Sequence, residues 1–267
     1  MIYITIGLLL LAAALGVAIA FVALRGRARR PGFFIPAAVA LAIAATVLMQ
    51  AFVTPRVLES WSIKRAREEL LAVPVYSVLE KYEPTVFERL LLEYRLVVLD
   101  SERIDIFTHE ANALISTAAT RHIAHASDAA LLALMNDMLQ KLQTLRAKSP
   151  DDCYRYLFPK VAGPPDIRLY FDRAAQERTL GLMAEVIRTS AEKPAAVPPP
   201  ERVQAQLAAV LNALYGEFGE STQALSHPEE PGVDRRVVCA VSVALYEKVM
   251  GLPQADAAAV IRSMTQL

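Results

Sequence analysis

Two long stretches without a charged residue place the strongest constraint on how this chain can fold. One runs from Ile2 to Leu24 and the other from Gly32 to Thr54, and each contains 23 residues. A helix rises about 1.5 Å per residue, so about 20 apolar residues are enough to cross the hydrocarbon core of a membrane. We therefore predict a two-helix transmembrane hairpin over residues 1–54, with spans at about 2–24 and 32–54.

The first stretch has an alternative interpretation as a cleaved signal peptide. Ala18-Ile19-Ala20 supplies a small-x-small cleavage site, but no basic residue precedes the apolar run. Signal peptides carry their positive charge before the apolar segment. A membrane span is therefore the favoured interpretation.

The turn between the two spans, residues 25–31, determines the predicted orientation. Its basic residues are all arginine: Arg25, Arg27, Arg29 and Arg30. Short loops rich in arginine and lysine stay in the cytoplasm, so both ends of the hairpin are expected on the opposite side. Arginine outnumbers lysine 21 to 7, which is typical of a GC-rich bacterial genome. The sequence therefore predicts a two-pass inner-membrane protein with its N-terminus and its C-terminal domain in the periplasm.

Three residues that follow the second span are predicted to lie at the membrane–water interface. They are Trp61, the only tryptophan, and its basic neighbours Arg56 and Lys64. Indole rings and long basic side chains favour the level of the lipid headgroups. Basic residues beside a span favour the cytoplasmic side, so Arg56 and Lys64 argue against the predicted orientation. The turn between the spans has a higher density of arginine and no glutamate, and we therefore expect the turn to determine the orientation.

Residues 55–267 are predicted to form an all-α, multi-helix globular bundle. They contain six glycines, and their apolar residues recur at spacings of three and four, which is typical of helices. Prolines mark the boundaries because proline is tolerated in the first turn of a helix and disrupts its interior. The predicted helices are 56–72, 75–82, 85–99, 103–124, 128–148, 151–157, 166–190, 200–217, 235–250 and 254–266.

Residues 194–200, Pro-Ala-Ala-Val-Pro-Pro-Pro, are predicted to form a stiff, extended connector. The connector separates a helical domain at 55–193 from a C-terminal helical part at 201–267. A chain of this length can bury one sizeable core, so we expect the C-terminal part to pack on the same domain.

Cys153 and Cys239 are the only cysteines, and they leave two interpretations open. In an oxidising compartment they would form a disulfide that ties the C-terminal part to the preceding helices. They are equally consistent with two buried thiols that pack as small apolar residues. A catalytic cysteine is the weakest alternative, because neither has a histidine near it in the sequence.

No residue set has the complete spacing of a metal or cofactor site. His122 and His125 lie one helical turn apart and are weak candidates for metal ligands, although a helix end accounts for them more simply. His109 lacks a second histidine four residues later, which excludes the zinc-protease motif. Glycine-rich phosphate loops and nucleophile elbows are missing from the sequence as well. We therefore expect no cofactor and no catalytic residue.

The segment from Pro150 to Phe171 is the candidate partner-binding region. It holds five of the 18 Phe and Tyr residues, and prolines bracket the first part of it. Aromatics beside an arginine are typical of protein interfaces, although they also fill the corners of helical bundles. The predicted partner contacts are Tyr154, Arg155, Tyr156, Phe158, Tyr170 and Phe171.

The charge distribution limits the partners. Residues 55–267 carry 24 bases against 28 acids, and 24 − 28 gives −4, so a nucleic-acid partner is not expected. The favoured hypothesis is a membrane-anchored helical protein that binds or scaffolds other envelope proteins without catalysis. The alternatives are a ligand-sensing or solute-binding helical domain and, less favoured, an enzyme of unfamiliar type.

Overall fold

The computed structural model of this protein describes residues 54–230 and 232–264, together with the isolated positions 7, 14, 18, 43, 44, 47 and 51. Over residues 54–230 and 232–264 the fold is all-helical, with eleven α-helices and no strand. The helices are α1 (Thr54–Leu71), α2 (Pro74–Tyr82), α3 (Pro84–Leu99), α4 (Ile104–His122), α5 (Asp128–Lys148), α6 (Pro150–Leu157), α7 (Pro159–Ala162), α8 (Arg173–Glu192), α9 (Pro200–Phe218), α10 (Arg235–Met250) and α11 (Gln254–Met264).

The helix boundaries follow from capping residues and prolines. Ser149 ends α5 and begins α6, where its hydroxyl accepts a hydrogen bond from the Asp152 N–H. Asp172 caps α8 and Asp234 caps α10 in the same way, because a short polar side chain satisfies N–H groups that have no partner within the helix. Pro200 occupies the first turn of α9, where a missing N–H costs nothing.

The all-helical prediction is confirmed, and most of the predicted boundaries lie within two residues of the observed ones. The helix predicted at 166–190 is the largest difference. A short 3-10 segment at Ile167–Leu169 comes first, and α8 begins only after the Asp172 cap. The four-residue helix α7 was not predicted.

The chain divides into two compact units. Unit 1 combines α1 with the segment Arg89–Thr108. Leu70, Leu90 and Phe107 are buried in it. The ring of Tyr94 packs edge-on against Phe107 at 4.9 Å, and its hydroxyl donates a 3.0 Å hydrogen bond to Glu69.

Unit 2 comprises Val73–Glu88 and the residues from His109 onward. Helix α5 lies at its centre and packs against α6, α8, α10 and α11. The main apolar cluster joins Leu142 and Leu145 of α5 to Cys153 of α6 and to Cys239 and Val243 of α10. The core of unit 2 is therefore built from residues on both sides of the proline connector.

The connector has no helical structure between Lys193 and Pro200. It does not coincide with any boundary between the compact units, since these boundaries fall between α1 and α2, within α3 and within α4. Its backbone is held in place at Ala195, whose N–H donates a 2.8 Å hydrogen bond to the carbonyl of His125. The helices that follow it belong to the same unit as the helices that precede it.

The predicted hairpin lies outside the described residues, apart from the isolated positions. This applies to both spans and to the turn arginines Arg25, Arg27, Arg29 and Arg30. Among residues 54–230 and 232–264, the structure contains no helix with the length and apolar character needed to cross a membrane.

Candidate functional site

Tyr154 was predicted to contact a partner, and the structure corrects this prediction. Its side chain is 1% exposed, and its hydroxyl donates a 2.6 Å hydrogen bond to the carbonyl of Pro228. The ring also packs beside Phe158, and the guanidinium of Arg235 lies over it. A ring this deeply buried cannot reach a partner, so Tyr154 is a core residue.

The other residues of the aromatic segment are half-buried and have partners within the chain. Arg155 donates hydrogen bonds to the carbonyls of Gly163 at 3.2 Å and Pro164 at 2.7 Å. Tyr170 donates a 2.5 Å hydrogen bond to Asp152, which also pairs with Arg155. Tyr156 and Phe171 pack against the α5–α6–α10 cluster. These contacts favour the alternative weighed from the sequence, in which the aromatics fill a corner of the bundle.

A buried ionic cluster lies beside this corner. Lys141 pairs with Asp137 at 2.9 Å, Arg178 reaches the same carboxylate at 3.2 Å, and the Thr179 hydroxyl donates to it at 2.7 Å. Burial raises the pKa of Asp137, but the hydrogen bonds from Thr179 and Lys141 lower this pKa by a larger amount. The pKa of Asp137 therefore lies below its usual value. Burial and the nearby Asp137 charge raise the pKa of Tyr156 to about 12. This cluster is satisfied internally and has the character of a structural network.

Cys153 and Cys239 form a disulfide in the structure, with their Cα atoms 5.9 Å apart. Both residues are fully buried, and the bridge links α6 to α10 across 86 residues of sequence. A buried, bridged cysteine offers no thiolate for catalysis. The sequence left a disulfide and two buried thiols as the main interpretations of these cysteines. The structure contains the disulfide.

The histidines are spread over separate contacts. His122 hydrogen-bonds Glu83 at 2.9 Å, and Arg121 binds the other oxygen of the same carboxylate at 2.7 Å. Burial raises the pKa of Glu83, but the hydrogen bonds from His122 and Arg121 outweigh the effect of burial. The pKa of Glu83 is therefore lowered. His125 instead faces the carbonyl of Ala195. Within residues 54–230 and 232–264, no three His, Cys, Asp or Glu residues are grouped to hold a metal ion.

The predicted interface residues lie on α1 in unit 1. Arg56 and Lys64 are exposed, and Trp61 is half-buried with the guanidinium of Arg65 stacked 5.4 Å from its ring centre. Trp61 lines an open pocket of about 450 Å³ together with Tyr94 and Leu99.

Helix α9 carries a surface that is not among the sites predicted from the sequence. Residues 203–216 contain no charged side chain. Val203, Val210 and Leu214 are buried on one side of α9. The outward side carries no charge either, and it consists of Gln204, Ala205, Ala208, Ala209, Leu211, Asn212, Ala213, Tyr215 and Gly216. We refer to these nine residues as the α9 face.

Two large side chains stand out from the α9 face. Leu211 is 45% exposed and Tyr215 is 52% exposed. The Tyr215 hydroxyl donates a 2.9 Å hydrogen bond to Glu220, which fixes the direction of the ring. Gly219 ends the helix in the left-handed region, with a φ of 56° that favours glycine. Leu211 and Tyr215 lie four residues apart and therefore share one side of the helix.

An apolar groove adjoins one edge of the α9 face. It has a volume of about 270 Å³, and the connector and α11 form its other walls through Val197, Pro198 and Ala259. Val197 is 55% exposed at its rim. The groove floor includes Arg262, whose guanidinium donates 2.6 Å hydrogen bonds to the Ala126 carbonyl and to Asp128. The groove extends the apolar surface from α9 onto the connector.

A signal for the α9 face was present in the sequence. Surface helices normally alternate an apolar side with a charged one, as in α8, where Arg173 and Glu177 form an exposed pair. The uncharged run in α9 is 14 residues long, which is too short for a membrane span. A run of this length covers every side of a helix, including the outward side that normally carries the charges of a surface helix.

No protein-family model, no curated protein and no solved structure is significantly similar to this chain. What the chain does must therefore be inferred from its own residues.

Proposed function

We propose that this chain is a two-pass bacterial inner-membrane protein whose helical part lies in the periplasm and binds other envelope proteins without catalysis. The observation that carries the binding proposal is the exposed and uncharged α9 face. Aromatic and aliphatic side chains on an uncharged surface lose little on desolvation, so such a surface gains free energy when a protein covers it.

The anchor is supported by the two uncharged N-terminal runs. At positions 43 and 47, four residues apart within the second run, the backbone is helical. Ile43 and Val47 are 60% and 57% exposed. Hydrocarbon chains would cover both side chains in the proposed membrane helix.

The proposed compartment is supported by the Cys153–Cys239 bridge. Disulfides form and persist in oxidising compartments such as the bacterial periplasm, and the reduced cytosol rarely keeps them. The positive-inside rule, applied to the arginine-rich turn, favours the same side for the helical part. These two lines of support are independent, since one depends on redox chemistry and the other on membrane insertion.

A non-catalytic role is supported by the state of the reactive side chains. Cys153 is bridged, His122 is held by Glu83, and His125 faces a backbone carbonyl. A nucleophile or general base must have its reactive atom accessible to a substrate.

A ligand-binding function is the second candidate, and the groove beside α9 is the observation that favours it. Its volume of about 270 Å³ lies just below the range of about 300–1,000 Å³ for small-molecule sites. Its lining is largely apolar, so a small apolar molecule would be the ligand. A rise in Tm on addition of such molecules would support this candidate.

Capture of partners from the native membrane tests the binding proposal. The full chain carries a C-terminal affinity tag and is purified in mild detergent after brief crosslinking in cells. A stoichiometric partner should be recovered with the wild-type chain and lost with Tyr215→Lys. Leu169→Lys is the matched control, because Leu169 is exposed on a short 3-10 segment away from α9. Equal recovery with both variants would reject the α9 face as the binding surface.

A further inference from the structure

We propose that the pocket in unit 1 binds the headgroup of a zwitterionic phospholipid, with the phosphate beside Arg65 and a primary ammonium group beside Glu69. This inference rests on the proposed function, because the membrane anchor brings lipid to the pocket. The pocket volume of about 450 Å³ lies within the range of about 300–1,000 Å³ for small-molecule sites. All of its lining residues belong to unit 1.

The first argument concerns the order of the lining residues along α1. Trp61, Arg65 and Glu69 follow one another at intervals of four residues, so they lie on one side of the helix. Helix α1 begins at Thr54, the last residue of the second uncharged run. An aromatic ring, a base and an acid therefore follow one another with increasing distance from the proposed membrane. A phospholipid with an amine headgroup presents acyl chains, a negative phosphate and a positive amine in the same direction.

The second argument concerns the donors of Arg65. Its guanidinium lies 5.4 Å from the ring centre of Trp61, and its Nε donates a 2.7 Å hydrogen bond to Glu69. The two terminal nitrogens of an arginine present four further N–H groups, in a planar arrangement that matches the oxygens of a phosphate. The side chain is 54% exposed, so a phosphate can reach it from the open side of the pocket.

The third argument concerns the acceptors of Glu69. One carboxylate oxygen accepts the hydrogen bond from Arg65, and the other accepts the 3.0 Å hydrogen bond from Tyr94. The hydrogen bond from Arg65 lowers the pKa of Glu69 below its usual value, so the carboxylate is charged at neutral pH. An ionised carboxylate has about four acceptor positions, which allows it to bind a ligand ammonium group as well. A primary ammonium group has N–H donors for this contact, whereas a quaternary one has none.

The fourth argument concerns reach. Trp61 lies seven residues beyond Thr54, which is about 10 Å along the helix. The headgroup layer extends about 5–8 Å beyond the hydrocarbon core of a bilayer. Helical side chains tilt toward the N-terminal end of their helix, so those of Trp61 and Arg65 tilt back toward the proposed membrane. A lipid that enters the pocket is therefore raised by a few ångströms, and its acyl chains stay in the bilayer.

Two aliphatic side chains complete the lining on the side of α3 and α4. Leu99 is 38% exposed and Ile104 is 43% exposed. Water surrounds the glycerol and the first acyl carbons of a lipid that is raised above its neighbours. Contact with Leu99 and Ile104 removes this apolar surface from water, which favours the bound lipid.

Fluorescence of Trp61 tests the proposal, because it is the only tryptophan and lines the pocket. The purified full chain in mild detergent receives phospholipids with bromine atoms on their acyl chains, which quench a neighbouring indole. Brominated phosphatidylethanolamine should quench at a mole fraction about fivefold lower than brominated phosphatidylglycerol or phosphatidylcholine, because it alone brings a primary ammonium group to Glu69. Equal quenching by the three lipids would overturn the proposal.

Substitution of the ionic pair tests the residues. Arg65→Gln and Glu69→Gln should each abolish the preference for phosphatidylethanolamine. Arg173→Gln and Glu177→Gln are the matched controls, because Arg173 and Glu177 form an exposed pair on α8 with the same spacing and the same 2.7 Å distance. The controls should keep the preference. Circular dichroism of each variant verifies its fold, and a preference that survives both Arg65→Gln and Glu69→Gln in folded protein would reject the assigned contacts.

Two further measurements separate the source of the ligand and the proposed function. Soluble glycerophosphoethanolamine has the same headgroup without acyl chains and should reverse the quenching only in large excess. Reversal at concentrations similar to that of the lipid would assign the pocket to a free compound and overturn the lipid proposal. Flotation of the full chain with liposomes tests the anchor by itself. A chain that floats but shows no lipid preference rejects the pocket and leaves the anchor, whereas a chain that does not float rejects both.

Discussion

At the scale of single residues, the polar atoms of the aromatic corner are satisfied within the chain. Tyr154 binds the Pro228 carbonyl, Tyr170 binds Asp152, and Arg155 binds two backbone carbonyls. A buried polar atom that keeps its hydrogen bond stabilises the fold modestly, whereas one that loses it pays the full cost of desolvation. These residues therefore contribute to stability, and the free energy of unfolding is the quantity that reports on them.

Tyr154→Phe should lower the stability of the folded chain. The substitution keeps the buried ring and leaves the Pro228 carbonyl without its donor, at a cost of about 1 kcal/mol. In a chain of this size that corresponds to a fall in Tm of about 2–4 °C, measured by circular dichroism of the full chain in mild detergent. Tyr215→Phe is the control, because the Tyr215 hydroxyl is exposed and its loss should be nearly neutral. Equal Tm values for both variants would show that the Tyr154 hydrogen bond contributes nothing.

The Asp137 carboxylate should make stability depend on acid pH. Its pKa is lowered in the folded state, so its contribution is complete above the usual aspartate value of about 3.9 and is lost as the pH falls through the lower folded pKa. Asp137→Asn removes a charge-assisted contact with buried Lys141 and should cost about 1.5 to 3 kcal/mol at pH 7. The difference between wild type and variant should shrink toward pH 3.

Thermal unfolding from pH 7 to pH 3 measures this effect. Asp166→Asn is the matched control, because Asp166 pairs with Arg168 on the surface and exposed ion pairs contribute little to stability. A constant difference between wild type and Asp137→Asn across this pH range would mean that ionisation of Asp137 does not stabilise the fold.

At the scale of helices, boundaries were predictable where a local rule decides them. Pro74, Pro150 and Pro200 each lie in the first turn of a helix, and Ser127 caps α5. The start of α8 was missed because the 3-10 segment at Ile167–Leu169 also has helical spacing, and only the Asp172 side chain shows where the α-helix begins. Local periodicity cannot distinguish the 3-10 segment from the first turn of the α-helix.

The α9 face shows a different limit of sequence interpretation. The three-four spacing of Val203, Leu207, Val210, Leu214 and Phe218 predicts one apolar side of α9, and Val203, Val210 and Leu214 are buried. The opposite side is also nearly free of charge, and periodicity alone does not say whether a second helix covers it. Tertiary packing decides this, and Leu211 and Tyr215 are left exposed. For the segment Pro150–Phe171, the aromatic composition predicted an exposed interface, although the same composition also fits a buried corner of the bundle.

The bridge between α6 and α10 should contribute measurably to stability. It closes a separation of 86 residues, and removal of a native disulfide typically costs about 2–5 kcal/mol because the unfolded chain gains freedom. Reduction of the wild-type chain should therefore lower its Tm. The double variant Cys153→Ala/Cys239→Ala should have a similarly low Tm and should not respond to reductant. An identical Tm for oxidised and reduced wild-type chain would contradict a stabilising bridge.

At the scale of the whole molecule, the chain joins two compact units to a very apolar N-terminal sequence. Unit 1 contains α1, which directly follows the second uncharged run, and unit 2 contains the disulfide and the α9 face. In the proposed function, one end of the chain is the anchor and the other end binds the partner. The account of the protein as an envelope component requires that unit 2 and the arginine-rich turn lie on opposite sides of the membrane.

Labelling with a membrane-impermeant maleimide in intact spheroplasts tests that requirement most directly. Ala196→Cys lies on the exposed connector, and Ala28→Cys lies in the turn between the two uncharged runs. The native cysteines are buried and bridged, so the introduced thiol is the one that reacts. We predict that Ala196→Cys is labelled in intact spheroplasts and that Ala28→Cys is labelled only after lysis. Labelling of Ala28→Cys before lysis, with Ala196→Cys protected until lysis, would contradict the account.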